Sequence, residues 1–377
     1  MQLTRLRLTN WKNFKDVDIR LGARTFLIGP NASGKSNLLD VFRFLRDVAN
    51  ESLRAAVKRR SGVSSIRCLS ATRNNRVAIE VEMADDDGTH WRYRLEFVQD
   101  NNQRPVVAEE AVWRGEAQVL VRPDDADRED GERLTETALE RPSTNQAFRV
   151  ISTFFKTVTY LHLIPQAVRD PTGFASGPVH DDPFGRDILL RIWNTNRRTQ
   201  GARLKKIAEA LKAALPQLQT LDVEMDDAGK PHLVAIYSNW RAQGAKQREN
   251  QFSDGTIRLL GLLWATFEGA GPLLIEEPEL SLHPEVVRRL PSMLVRINRL
   301  RKEAARQILI STHSPDLLGD SGIPAEEVLV LKPTEQGTEI EIASDADKAA
   351  MRSGLTAADV LLPKSAPANV DQLTLAF

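Results

Sequence analysis

Thr25-Phe26-Leu27-Ile28-Gly29-Pro30-Asn31-Ala32-Ser33-Gly34-Lys35-Ser36-Asn37 decides the fold. The first four residues read as a buried strand, and Gly29 to Ser36 has the spacing G-x4-G-K-[ST]. Beyond it, Leu38, Val41, Phe42, Leu45 and Val48 recur on one helical face. Strand, glycine-containing loop and helix in that order form a phosphate cradle. Backbone N–H groups and the positive end of the helix dipole face the anion. In such a loop Lys35 reaches the β- and γ-phosphates, and the Ser36 hydroxyl holds Mg²⁺.

Three other segments carry chemistry. Leu273–Ile275 is an apolar strand running into Glu276-Glu277-Pro278. Adjacent carboxylates at a buried strand end repel each other and lose hydration, so they need compensation. A phosphate-bound Mg²⁺ beside Glu276, and a water polarised by Glu277 as general base, supply it. Ile308–Ile310 ends at Ser311-Thr312-His313-Ser314-Pro315, where His313 can donate to a γ-phosphate or hold the attacking water. Ser253, in Phe252-Ser253-Asp254-Gly255-Thr256, is expected to N-cap the apolar helix that follows.

Around these segments, strands are expected near Leu3–Leu8, Val17–Leu21, Val77–Met83, Trp91–Phe97, Val106–Trp113, Gln118–Val121 and Val158–Leu161. Asp124 to Glu132 holds six acids in nine residues and reads as a solvated loop tipping an antiparallel arm. From about 185 the chain turns helical, with Leu204, Ile207, Ala208 and Leu211 on one face. A hairpin is expected over 221–237, and a helix over 284–303 broken near Pro291.

The segments Leu6–Phe14 (LRLTNWKNF), Gly29–Asn37 (GPNASGKSN), Phe252–Leu260 (FSDGTIRLL), Leu273–Pro284 (LLIEEPELSLHP) and Ser311–Pro315 (STHSP), in this order, resemble the ATP-binding-cassette ATPases. The resemblance is nearer to their RecF/SMC-like soluble branch, and within it to the ATPase domains of OLD-type proteins. It implies an α/β fold: an ABC-ATPase head, that is a P-loop NTPase with a mixed central sheet and an antiparallel β subdomain, plus a helical insert. It implies residues 1–172 as the N-terminal lobe with an arm at about 100–150, 173–249 as the insert, 250–345 as the C-terminal lobe, and 346–377 as a helix and tail. The cofactors implied are ATP and Mg²⁺. Gly29 through Asn37 would bind the nucleotide, with Ser36, Glu276 and Gln166, a Q-loop candidate, at the metal. Glu277, His313 and Lys35 would be catalytic. Two heads would sandwich two ATP molecules, with Ser253, Asp254 and Gly255 completing the partner's site and Ser281-Leu282-His283 forming the D-loop. The sequence departs from the transporter pattern at SDGT, where SGGQ is usual, and at Glu276, where Asp is commoner; both leave the hydrolysis rate open.

The rest of the chain excludes related classes. No long coiled coil fits between Lys35 and Ser253, and the single cysteine, Cys68, rules out a CxxC hook and an internal disulfide. Too little chain follows His313 for a Toprim nuclease domain, and Asp345-Ala346-Asp347 reads as a loop capping a helix. A separate effector, a nuclease or toxin in anti-phage defence, is the expected partner. Lys+Arg and Asp+Glu are both 51 of 377 residues, so DNA contact would rest on local clusters. These are Arg54–Arg76, Arg197–Lys206 and Arg288–Lys302. An apolar fraction of 41% with no run long enough to span a bilayer fits a globular cytoplasmic protein. The apolar tail Leu373–Phe377 is a candidate docking segment.

Overall fold

The structure, a computed structural model, describes residues 1–70, 75–171, 182–238, 244–301 and 304–366. Arg73, Lys302, the 172/173 boundary and the tail Leu373–Phe377 lie outside the described residues.

Strand β3 (Arg24–Ile28) organises the molecule. It lies inside a six-stranded sheet of order β15-β14-β3-β13-β12-β8. Its companions are β8 (Thr159–Leu161), β12 (Leu273–Glu276), β13 (Ile308–Thr312), β14 (Val328–Thr334) and β15 (Gly337–Ile342). All pairings are parallel except β14 with β15. A parallel sheet is covered on both faces, so its strands read as continuous apolar runs. Successive side chains nevertheless point to opposite faces. Leu27, Leu274 and Leu309 enter one core, while Phe26, Ile28, Leu273, Ile275, Ile308 and Ile310 enter the other.

The first core is closed by the helix Lys35–Asn50, which presents Leu38, Leu39, Val41, Phe42, Leu45 and Val48. Behind it lies an antiparallel sheet of order β2-β1-β4-β5-β6-β7. Its strands are β1 (Gln2–Trp11), β2 (Phe14–Arg20), β4 (Val77–Ala84), β5 (His90–Gln99), β6 (Pro105–Arg114) and β7 (Ala117–Arg122). The second core is covered by the helices Ile188–Asn194, Arg197–Leu211, Asp254–Phe267 and Leu290–Arg299. A three-stranded sheet of β9 (Leu218–Met225), β10 (Pro231–Tyr237) and β11 (Ala245–Arg248), in order β11-β10-β9, packs there too.

β6 and β7 are the outer strands of the antiparallel sheet. The acidic stretch after them, expected as a solvated loop, forms short helical turns with Asp124, Asp125, Glu129, Asp130 and Glu132 exposed, but its sixth acid is not solvated. Asp127 is buried, bonded to the Arg122 guanidinium at 2.9 Å through both oxygens, and Glu110, also buried, takes N–H bonds from Ala138 and Leu139. Six acids in nine residues concealed one that is a structural counter-ion, because composition does not show which side chain meets an arginine.

Part of the basic clusters is used internally, while Arg54, Lys58, Arg289, Arg296 and Arg299 are exposed. Arg60 is held by Asp40 and Asp47, and Arg59 by Glu51. Arg288 pairs with Glu285 and Asp316, and Arg301 caps the carbonyls of Thr266 and Gly269. Arg198, Arg203 and Lys206 differ. They line a cavity of about 220 Å³ with Phe267 and Arg301, and no carboxylate lines it. No helix among the described residues is long and apolar enough to cross a membrane.

Candidate functional site

The carboxyl ends of β3, β12 and β13 lie side by side, and Lys35, Glu276, Glu277 and His313 stand at or just beyond them. In open α/β sheets this is where ligands bind. The loop after β3 bends through left-handed backbone at Ala32 (φ 62°) and Gly34 (φ 96°). Gly34 must be glycine: a Cβ there would stand 2.1 Å from Asn13 Nδ2. Asn13, in the β1–β2 turn, donates to Ser33 O (3.1 Å) and Thr338 Oγ1 (2.6 Å) and accepts from Asn37 Nδ2 (2.8 Å). Thr338, on β15, itself donates to Ser33 O at 2.9 Å. The loop is thus braced by the β1–β2 turn and by β15, through residues 325 positions apart.

Lys35 Nζ donates to Gly29 O (2.8 Å) and Pro30 O (2.9 Å). Burial holds its pKa below the ordinary lysine value, while Glu277, Glu276 and Glu279 act against that shift. Its ammonium thus feels all three carboxylates, and its hydrogen-bond partners among the described residues are the two carbonyls. Ser36 Oγ donates to Glu276, and so does the Tyr160 hydroxyl from β8. Burial and the adjacent Glu276 charge push the Tyr160 phenol well above its usual range. Arg43 lies 4.1 Å over the Tyr160 ring.

Glu277 follows in left-handed backbone (φ 46°), its N–H bonded to Ser311 O at 3.0 Å. Non-glycine residues enter that region at a cost of about 1–2 kcal/mol, and such strain clusters at functional sites. The turn aims its carboxylate at His313 Nδ1, 3.3 Å away. Glu279, buried, accepts from Thr312 Oγ1 at 2.6 Å.

Ser253 N-caps the helix Asp254–Phe267 as expected, accepting from Thr256 N at 3.2 Å. Gly255 backs onto the loop after β12, where a Cβ would meet Ser281 O at 2.5 Å. The two segments share a cavity of about 230 Å³ lined by Ser253, Gly255, Thr256, Ser281, Leu282 and His283. Gln166 is in contact with this group. Its Nε2 donates to Asp254 Oδ2 at 3.2 Å, and Arg169 pairs with Asp254 at 2.7 Å. Asp347 is a capping residue: Ser344 starts that helix, and Lys364 Nζ holds the carboxylate at 2.6 Å. Among the described residues no three His, Cys, Asp or Glu side chains group to hold an ion by themselves.

A family model described as "AAA domain, putative AbiEii toxin, Type IV TA system" matches residues 24–319, which span every one of these segments except Asn13, Thr338 and the helix after Ser344. The chain belongs to this AAA-domain family. Solved structures similar to it include heads of SMC proteins. An SMC head bound to the C-winged helix domain of ScpA is 14% identical, with TM-score 0.57, covering 92% of this chain and 99% of that one. An SMC head with an extended coiled coil, bound to the C-terminal domain of ScpA derived from Pyrococcus furiosus, is 12% identical, with TM-score 0.54 and coverage of 93% and 98%. One from Pyrococcus yayanosii, with a coiled coil and joint, is 11% identical, with TM-score 0.51 and coverage of 93% and 99%. At such identities they show a shared fold, that of an ABC/SMC-type P-loop head. No curated protein sequence matches the chain.

Sequence reasoning left out four residues of this AAA-domain site. Asn13 lay inside a quoted motif, and Glu279 inside another, but nothing in the spacing marked their side chains. Tyr160 and Thr338 come from strands whose position next to β12 and the loop after β3 is a product of sheet order.

Proposed function

We propose that this protein binds ATP with Mg²⁺ and hydrolyses it, and that two copies close around two nucleotides. One observation carries the reading: three adjacent strand ends bring Lys35, Ser36, Glu276, Glu277 and His313 together from positions 35 to 313. The residues fit the metal. Ser36 Oγ and the Glu276 carboxylate are hard oxygen donors already in contact, and a cation that keeps its waters and binds mainly through nucleotide phosphates needs few protein ligands. Bound there, Mg²⁺ would neutralise charge on the phosphates. Lys35 would leave the carbonyls of Gly29 and Pro30 for the phosphates, and Glu277 would take the proton of the attacking water. His313, on the other side of Glu277, would hold that water or the γ-phosphate.

Closure of two copies is supported by the placement of Ser253–Gly255 beside Ser281–His283, at a cavity of their own rather than on the Lys35 loop. In this reading the chain is a regulatory ATPase subunit, near to OLD-type ATPase domains, that senses DNA or a phage component. It controls a separate nuclease or toxin in bacterial defence. The family description names a toxin and a type IV TA system, which favours a defence-type role. A second reading, a RecF-like DNA repair ATPase, is favoured by the cavity where Arg198, Arg203 and Lys206 meet without a carboxylate.

The test is Glu277→Gln. Loss of a general base lowers turnover about 10²–10⁴-fold. ATP binding should persist, and light scattering should show an ATP-dependent dimer that no longer dissociates. Unchanged turnover would remove Glu277 from the mechanism. A wild type that binds ATP and never turns it over would make the protein an ATP-dependent scaffold.

A further inference from the structure

Two buried charges near the site have no full set of partners. Glu279 is 8% exposed. Its Oε1 accepts from Thr312 Oγ1 at 2.6 Å and from His313 N at 3.4 Å, while its Oε2 is buried with no hydrogen-bond partner among the described residues. Arg258 is 7% exposed, one turn into the helix that Ser253 caps. Its Nε is buried without a partner, and no hydrogen bond or ion pair joins its guanidinium to any described residue. Its charge feels Asp254, Glu279 and Glu277. Burial lowers the arginine and raises the glutamate, each towards its neutral form.

Unpaired buried charges are expensive, and a fold keeps them where a second state pairs them or where they are needed. Arg258 and Glu279 have opposite sign, lie on different elements, and stand beyond ion-pair distance of each other here. The other end of Glu279 is already engaged with the strand end that carries His313, and Thr312 Oγ1 passes the contact on by accepting from Ser314 N at 3.0 Å.

We propose that Glu279 is a positioning residue with two functions: Oε1 holds Thr312 and His313 in register with Glu277, and Oε2 is the acceptor that Arg258 of the same chain reaches when the helix Asp254–Phe267 moves on closure. One buried carboxylate then links the segment facing a second copy to the histidine facing the reacting phosphate. This rests on the reading of the protein as an ATPase that closes as a dimer.

The two functions separate by substitution. Glu279→Gln keeps an oxygen for Thr312 and removes the charge for Arg258, and Arg258→Met removes the other partner. Each should lower kcat about tenfold, the worth of one charge-assisted bond, with the Kd of a fluorescent ATP analogue within twofold. The double variant should be no slower than the slower single one, as for two residues acting through one contact. Glu279→Ala, which also frees Thr312, should be slower again by about tenfold. If Glu279→Ala fails to fold, the Gln, Met and double variants complete the cycle without it. Losses that multiply in the double variant, or losses in Kd with kcat intact, overturn the inference and leave the ATPase reading standing. If wild type dimerises on ATP without turnover, the same cycle is read on the dimer Kd by light scattering. A wild type that neither binds ATP nor dimerises overturns both.

Discussion

Replacing Gly34 by alanine tests how the nucleotide loop is held. Gly34 has φ 96°, and a Cβ there would lie 2.1 Å from Asn13 Nδ2, 2.6 Å from Oδ1 and 2.7 Å from Cγ. Asn13 must therefore leave. It gives up bonds to Ser33 O and Thr338 Oγ1 and from Asn37, about 1 kcal/mol each and about 3 kcal/mol together. Positive φ adds about 1–2 kcal/mol, and the stiffer unfolded chain returns about 0.4–1 kcal/mol. The net expected loss is about 4 kcal/mol, a large part of a typical domain's 5–15 kcal/mol. The assay is urea unfolding of Gly34→Ala, Asn13→Ala and the double variant. In the Asn13→Ala background the clash is gone, so Gly34→Ala should cost only about 1 kcal/mol, a coupling of about 3 kcal/mol. Equal costs of Gly34→Ala in both backgrounds would refute the brace, and with it the idea that the β1–β2 turn shapes the loop.

Other outcomes follow from single contacts. Tyr160→Phe removes one of the two hydroxyls on Glu276 and should raise the Mg²⁺ concentration needed for ATP binding, measured by titration, while leaving Mg²⁺-free nucleotide affinity unchanged. Arg306, 2% exposed, donates to Gly271 O at 2.6 Å and to Glu268 O; Arg306→Met leaves both carbonyls without that donor and should cost about 2–4 kcal/mol by denaturant midpoint. A midpoint within 0.5 kcal/mol of wild type would show that water takes over the two carbonyls. Glu279 has its folded pKa raised above its ordinary 4.5, so the unfolded chain loses that proton first. Its contribution to stability is full below about pH 4.5 and is lost as pH rises through the folded pKa. Glu279→Gln should flatten the stability–pH curve in that window, and a curve unchanged in slope would place the carboxylate in water.

How much of this was legible in the sequence depended on what each residue does alone. Ser253 announces a helix start by its own chemistry, and β3, β12 and β13 announce themselves as apolar runs, so the cap and the strand ends were readable. Gln166 was assigned to the metal by its place after a strand. Its amide, on the helix Pro165–Arg169, donates to Asp254 next to Ser253, a contact that spacing does not encode. Asp127 was misread for a related reason: an acid in an acidic run looks solvated until the fold sets Arg122 against it. Tyr160, Thr338 and Arg258 were invisible because their importance is a matter of which strand or helix lies next to which. The same limit applies to the basic clusters. Arg60 and Arg301 are as positive as Arg198 and Arg203 in sequence, yet the first two are spent on Asp40, Asp47 and helix carbonyls. Arg54, Lys58, Arg289, Arg296 and Arg299 stay exposed as well, but Arg198, Arg203 and Lys206 converge on one cavity. A DNA-binding test belongs on Arg198, Arg203 and Lys206, where neutralising substitutions should reduce the salt dependence of any binding, and not on the Arg59–Arg60 pair, where the same substitutions would unfold the helix Leu53–Arg59 from its carboxylates.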